Sequence, residues 1–150
     1  MSPDSPRAMN QQQIEAMIPH RPPMLLIDEV VQQSDNRIVC QKTFRAEEFF
    51  FQGHYPNYPL VPGIILCEAS MQAGAILLAQ APGEGVPVAT RMNDVRFRKM
   101  VRPGDQVQIE VELIEKVSNA FFMKAKMMRG KETVLRFEFA CALAAPQDVS

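Results

Sequence analysis

His54 lies in the segment Phe51-Gln52-Gly53-His54-Tyr55-Pro56, and Glu68 follows later in an apolar run. An imidazole in a loop shaped by Gly53, Pro56 and Pro59 has a constrained backbone and no helix neighbours to pack against. Unperturbed histidine titrates near pH ~6.5, so the neutral ring is available as a general base at neutral pH. A loop histidine that only hydrogen-bonds a turn fits the same fragment. Glu68 stands among Ile64, Ile65, Leu66, Ala69 and Ala73, roughly 7–8 Å into a helix that begins at Gly63. Loss of solvation disfavours a carboxylate and makes a carboxyl a proton donor near neutral pH. Gln72, one turn on, can hold that carboxyl by an i,i+4 hydrogen bond. The alternative is a narrow exposed stripe of Glu68, Gln72 and Gln80. Gly63 at a helix start supplies free N–H groups and close backbone approach, which suits a developing oxyanion; ordinary helix-start chemistry needs no more than the same glycine.

The elements that must carry these groups are readable from pattern. Ile14–Met17 is a helical turn stopped by Pro19, and Pro22-Pro23 force an extended entry into a strand over Met24–Gln32. Arg37–Phe44 is a second strand, and 47–62 is a loop punctuated by Gly53, Pro56, Pro59 and Pro62. Gly63–Gln80 reads as a helix with almost no polar face, ended by Pro82, Gly83 and Gly85, so other elements must surround it. Val86–Arg98 is a strand. Val107, Ile109, Val111 and Leu113 alternate with Gln108, Glu110 and Glu112 as a half-buried strand. Asn119–Arg129 and Thr133–Leu143, joined at Gly130-Lys131, complete about six strands. One helix among clustered strands implies an α+β fold with a curved antiparallel sheet around a central helix. The whole of 1–150 reads as a single domain, with 1–10 and 146–150 as loose termini. A lone sheet leaves edges that a dimer would cover.

Composition excludes several classes. The 150 residues carry a net charge of −1, which leaves no nucleic-acid footprint. Three cysteines and two histidines without a Cys-x-x-Cys argue against a disulfide framework or a zinc site and for a reducing cytoplasm. The start lacks the features of a signal peptide, and the apolar run from Leu60 to Ala81 is too broken for a membrane span.

The string Phe51-Gln52-Gly53-His54-Tyr55-Pro56 with Pro59, Pro62-Gly63, Glu68-Ala69 and Gln72 closely resembles the hallmark of bacterial (3R)-hydroxyacyl-[acyl-carrier-protein] dehydratases, which are hot-dog-fold enzymes. Ile18-Pro19-His20-Arg21-Pro22-Pro23-Met24-Leu25-Leu26-Ile27-Asp28 resembles that family's N-terminal signature, and Val95-Arg96-Phe97-Arg98 with Val101 and Pro103-Gly104-Asp105-Gln106 its later one. The resemblance implies that His54 faces the substrate α-carbon and that Glu68, its acidic partner, comes from another subunit. It places the Gly63 N–H on the thioester carbonyl and the Val61 carbonyl against the imidazole. It implies a homodimer or a trimer of such dimers, an acyl carrier protein partner bearing a phosphopantetheine-linked acyl chain, and no metal or organic cofactor. Arg96, Arg98, Lys99 and Arg102 are candidates for the carrier or pantetheine contact, although a solvated basic edge fits them equally. His20 is given a structural role.

Thr90-Arg91-Met92-Asn93-Asp94 departs from the pattern, because the family commonly has glycine where Arg91 stands. Arg91 either intrudes on the acyl tunnel or points to solvent. Competing readings are therefore a thioesterase-like hot-dog protein, or an acyl-thioester-binding subunit with an altered tunnel and no turnover.

Overall fold

The computed structural model describes residues 8–80 and 85–145. Helix α1 (Gln11–Met17) is followed by strands β1 (Glu29–Gln33) and β2 (Arg37–Thr43), and a 3-10 turn occupies Phe49–Phe51. Helix α2 (Gly63–Leu78) comes next, then β3 (Val86–Phe97), β4 (Gln106–Val117), β5 (Ala120–Arg129) and β6 (Glu132–Ala144). The six strands form one sheet in the order β1-β2-β4-β5-β6-β3, and every pairing is antiparallel. This is the α+β hot-dog arrangement expected from the sequence, with α2 packed on β2, β3, β4 and β5.

Alternation explains which face holds the helix. Phe121, Met123, Ala125 and Met127 of β5, and Leu135, Phe137, Phe139 and Cys141 of β6, are buried in the core with the α2 residues Leu66, Ala69, Ala73 and Ile76. Gly74 permits this closeness: a Cβ there would stand 2.8 Å from Phe139 Cζ and 3.2 Å from Met123 Sδ. The next row of the sheet faces away. Arg91 pairs with Ala140, which pairs with Phe122, and the Arg91 guanidinium sits 5.5 Å from the Phe122 ring centroid. Arg91 is thus exposed on the outer face, on the side opposite α2, and a cation–π contact covers the small Ala140 between them.

Two expected boundaries move. The first strand begins at Glu29 rather than Met24, although Leu25, Leu26 and Ile27 are buried. The Leu26 N–H donates to Gln72 Oε1 and the Met24 carbonyl accepts from Gln72 Nε2, both at 2.8 Å. A side chain of α2 therefore supplies the partners that a neighbouring strand would otherwise provide. At the other end of the entry segment, Met9 pairs with Val30, and Asn10 and Gln13 form a reciprocal capping box that starts α1 at Gln11. Residues 9 and 10 are accordingly tied to the fold, while 1–7, 146–150 and the expected helix stop at Pro82-Gly83 lie outside the described residues.

On the outer face Arg37 Nε donates to Glu110 Oε1 at 3.0 Å across β2 and β4. That hydrogen bond holds the Glu110 carboxyl below its ordinary 4.5, against the opposing effect of partial burial. A lowered carboxyl contributes stability at pH above its unfolded value and loses it as pH falls through the folded value. Melting temperature should therefore fall less steeply below about pH 4.5 in Glu110→Gln than in the parent. The difference will be small, because both side chains are well solvated.

Candidate active site

The loop that carries His54 is anchored before it begins. Lys42, 2% exposed, donates to Glu48 Oε1 at 2.6 Å and lies 3.7 Å from Asp28. Asp28 accepts from the Thr43 N–H at 2.7 Å, and Glu48 accepts from the Arg45 N–H at 2.8 Å. A buried ammonium paired with two carboxylates and hydrogen-bonded fixes the exit of β2. Phe50 and Phe51 of the 3-10 turn are buried, and Phe50 meets Phe44 edge-on at 5.9 Å. From this base the chain turns left-handed twice, at Gly53 (φ 76) and Tyr55 (φ 51), on either side of His54. A tyrosine in that region is strained by about 1–2 kcal/mol, the kind of local cost found where a side chain is aimed.

His54 Nδ1 lies 3.0 Å from the Leu60 carbonyl oxygen. The acceptor is Leu60, not the Val61 carbonyl expected from the resemblance. The reason lies in one peptide plane. The Val61 N–H donates to the Val101 carbonyl at 2.8 Å, and in a trans peptide the preceding C=O points the opposite way, so the Leu60 oxygen is turned to the histidine. A carbonyl only accepts, so Nδ1 is the protonated nitrogen in this contact, and in the neutral ring Nε2 is the nitrogen with the lone pair.

Helix α2 starts where expected, with Pro62 at its N-cap. The Ile65 and Leu66 N–H groups both return to the Pro62 carbonyl, at 2.9 and 3.3 Å. No acceptor among the described residues takes the N–H of Gly63 or Ile64, so two donors remain at the positive end of the helix dipole. Ile64 was not singled out by sequence, although its position beside Gly63 was a sufficient signal. The Phe97 ring lies on the glycine: a Cβ at Gly63 would come 2.8 Å from Phe97 Cε1. Phe97 is 53% exposed and can swing away, so Gly63→Ala should leave stability within about 1 kcal/mol. If a thioester carbonyl docks on these donors, the same change should lower kcat by displacing the ring into its place, and Gly63→Ala/Phe97→Ala should recover part of the loss.

Glu68, on the first turns of α2, accepts from Gln72 Nε2 at 2.8 Å through Oε2. Its side chain remains 30% exposed in the single chain, so the desolvation expected from its apolar neighbours is partial here. His20 Nε2 stands 3.7 Å from the same Oε2. Among the described residues no hydrogen bond or ion pair joins Glu68 to His54 within one chain. Nearby thiols are not nucleophiles: burial pushes Cys67 up to about 11, and burial with the Glu68 charge pushes Cys141 up to about 11.

The four basic candidates line two hollows that share Arg98. Arg96 and Arg98 line an outer-face groove with Lys124, Lys126 and Arg136. Arg98, Lys99 and Arg102 line a second hollow with Arg129. Lys99 pairs with Glu132 at 3.5 Å. Arg102 bonds the Tyr58 hydroxyl and stacks 4.8 Å from its ring centroid, which ties the strand connection after β3 to the His54 loop.

Against known proteins, the model of the FabA-like domain matches residues 18–138. The chain belongs to the FabA-like family. This FabA-like chain is 39% identical over 117 residues to the 3-hydroxyacyl-[acyl-carrier-protein] dehydratase FabZ of Petrotoga mobilis, covering 77% of this chain and 84% of that protein. It is 42% identical over 119 residues to the protein of the same name from Clostridium perfringens, covering 78% and 86%. Among solved structures, the dehydratase heterocomplex ApeI:P from Xenorhabdus doucetiae superposes with a TM-score of 0.79 at 16% identity, covering 91% of this chain and 93% of that one, which establishes the hot-dog fold. Among the described residues of the FabA-like chain, no helix is long and apolar enough to cross a membrane.

Proposed function

We infer that this protein removes water from (3R)-hydroxyacyl thioesters carried on acyl carrier protein, giving trans-2-enoyl thioesters in fatty-acid biosynthesis. The observation that carries the reading is the contact of His54 Nδ1 with the Leu60 carbonyl. A ring whose Nδ1–H is committed to the Leu60 carbonyl at 3.0 Å presents a bare Nε2, the form a base needs. The dehydratases from Petrotoga mobilis and Clostridium perfringens, similar over most of this chain, supply the reaction class.

In this reading the substrate carbonyl docks on the Gly63 N–H, with the Ile64 N–H beside it. Charge developing on that oxygen is stabilised by donors that need no reorganisation. His54 Nε2 takes the α-proton, and the resulting enolate expels the β-hydroxyl as water with a proton from Glu68. Gln72 orients Glu68. Every atom is accounted for by substrate and side chains, so the chemistry calls on no metal or organic cofactor.

The proposed assembly is a homodimer, with trimers of such dimers as a further step, in which Glu68 of one subunit meets His54 of the other. Two features support it. Strand β3 is twelve residues long and lies at the sheet edge, where unpaired backbone invites a second chain. Ile64, Phe97 and Met100 are exposed apolar side chains close to the helix start. Arg98 and Arg102 are the proposed contacts for the acidic carrier or its phosphopantetheine arm, with Arg96 and Lys99 outside them. The three buried free thiols suit a reducing cytoplasm.

Assaying 3-hydroxyacyl, trans-2-enoyl and saturated acyl thioesters side by side tests the reading. Interconversion of the first two with no thiol release from any of them is expected. Hydrolysis of the saturated thioester would make the protein a thioesterase, and tight binding without turnover would make it an acyl carrier's binding partner.

A further inference from the structure

We propose that His20 is a positioning residue for Glu68: with Gln72 it holds carboxylate oxygen Oε2, so that Oε1 is the oxygen that gives its proton to the substrate. The proposal rests on the role given to Glu68 above. The Gln72 amide has only one workable orientation. Its Oε1 accepts from the Leu26 N–H at 2.8 Å, and its Nε2 donates to the Met24 carbonyl and to Glu68 Oε2, both at 2.8 Å. Turning the amide over would set its oxygen against two other oxygens and its NH2 against an N–H. Oε2 is therefore an acceptor.

His20 Nε2 faces that same Oε2 at 3.7 Å. The other ring nitrogen, Nδ1, is buried and has no partner among the described residues. A proton on Nδ1 would be a buried donor with nothing to bond, the least tolerated kind of orphan. The tautomer protonated on Nε2 leaves a bare nitrogen in the dry position and turns the ring's N–H on Oε2. Both side chains are partly exposed, and a small rotation of either closes the gap to a hydrogen bond. The histidine's own backbone is held firmly. Arg21 Nη1 donates to the Ile18 and His20 carbonyls at 2.9 and 2.8 Å, and Arg21 Nε pairs with Glu15 of α1 at 3.2 Å. With two donors on Oε2, the acid proton of Glu68 resides on Oε1, on the side left free for the departing hydroxyl.

The test compares His20→Leu with His20→Gln in the full chain, by hydration of a crotonyl thioester. Glutamine can place an amide N–H where Nε2 stands; leucine cannot. The leucine variant should lose about tenfold in kcat with KM and melting temperature unchanged, as expected for the loss of one hydrogen bond. Glutamine should restore most of that loss, and adding His20→Leu to Glu68→Gln should cost nothing further. Wild-type kcat in His20→Leu overturns the proposal, as does an equal loss in the leucine and glutamine variants. If leucine fails to fold, His20→Asn takes its place, since its shorter amide cannot reach Oε2. Full activity in Glu68→Gln overturns the role of Glu68 itself, a separate result.

Discussion

Replacing His54 with alanine, or Glu68 with glutamine, is expected to lower hydration of a crotonyl thioester by about 10²–10⁴-fold, the range typical of a lost acid or base. Each variant should keep its fold and oligomeric state. His54 is part of a loop whose shape is set by Gly53, Tyr55 and the Val61–Val101 bond, none of which needs the imidazole. Glu68→Gln keeps an oxygen for Gln72 to donate to. The two variants also test the proposed subunit boundary. Refolded together as an equal mixture, they form mixed dimers in which one site has both native groups and the other has neither. Activity should return to roughly a quarter of the parent, since half of the dimers are mixed and each has one working site of two. If each site were built within one chain, mixing would restore nothing.

Gln72→Met is the second large effect, and it acts on stability and turnover together. Methionine conserves volume but removes the acceptor of the Leu26 N–H and the donor to Met24 and Glu68. Gln72 is 1% exposed, so water does not replace the lost partners. An unsatisfied buried donor costs about 1–3 kcal/mol, which should appear as a lower urea midpoint at unchanged slope. At the same time Glu68 loses the group that fixes Oε2, and kcat should fall at least as far as in His20→Leu. A methionine variant with unchanged midpoint would mean that the segment from Met24 to Asp28 is held by something other than this amide. Glu68→Gln offers the contrast: catalysis is lost while the Leu26 bond, and with it stability, is kept.

Much of the architecture was legible because it is local. The alternation at Val107, Ile109 and Val111, and at Leu135, Phe137, Phe139 and Cys141, is a property of neighbouring residues, and those side chains are buried in the core as read. The start of α2 was equally plain, since Pro62 and Gly63 signal a helix N-terminus by their own backbone preferences. The misreadings are long-range. Met24–Asp28 has the composition of a strand, but the Leu26 N–H and the Met24 carbonyl are taken by the Gln72 side chain, 46 residues from Leu26, and within this segment only Asp28 donates to β2, at the Gln41 carbonyl. The histidine's acceptor is Leu60 instead of Val61 because Val101, in a different part of the chain, takes the Val61 N–H. Nothing near His20 in sequence announces Glu68, and the two come within 3.7 Å only through the packing of the entry segment on α2. The partial exposure of Glu68 has the same origin: its apolar neighbours are visible in sequence, but a single chain does not finish enclosing it.

The main-chain origin of the His54 acceptor has an evolutionary consequence. Every residue type at position 60 offers a carbonyl, so mutational drift there cannot erase the group that sets the ring's proton. The vulnerable atom is the amide hydrogen of Val61, and proline at 61 is the single replacement that deletes it. The side chain at position 60 can therefore change while the imidazole keeps its acceptor.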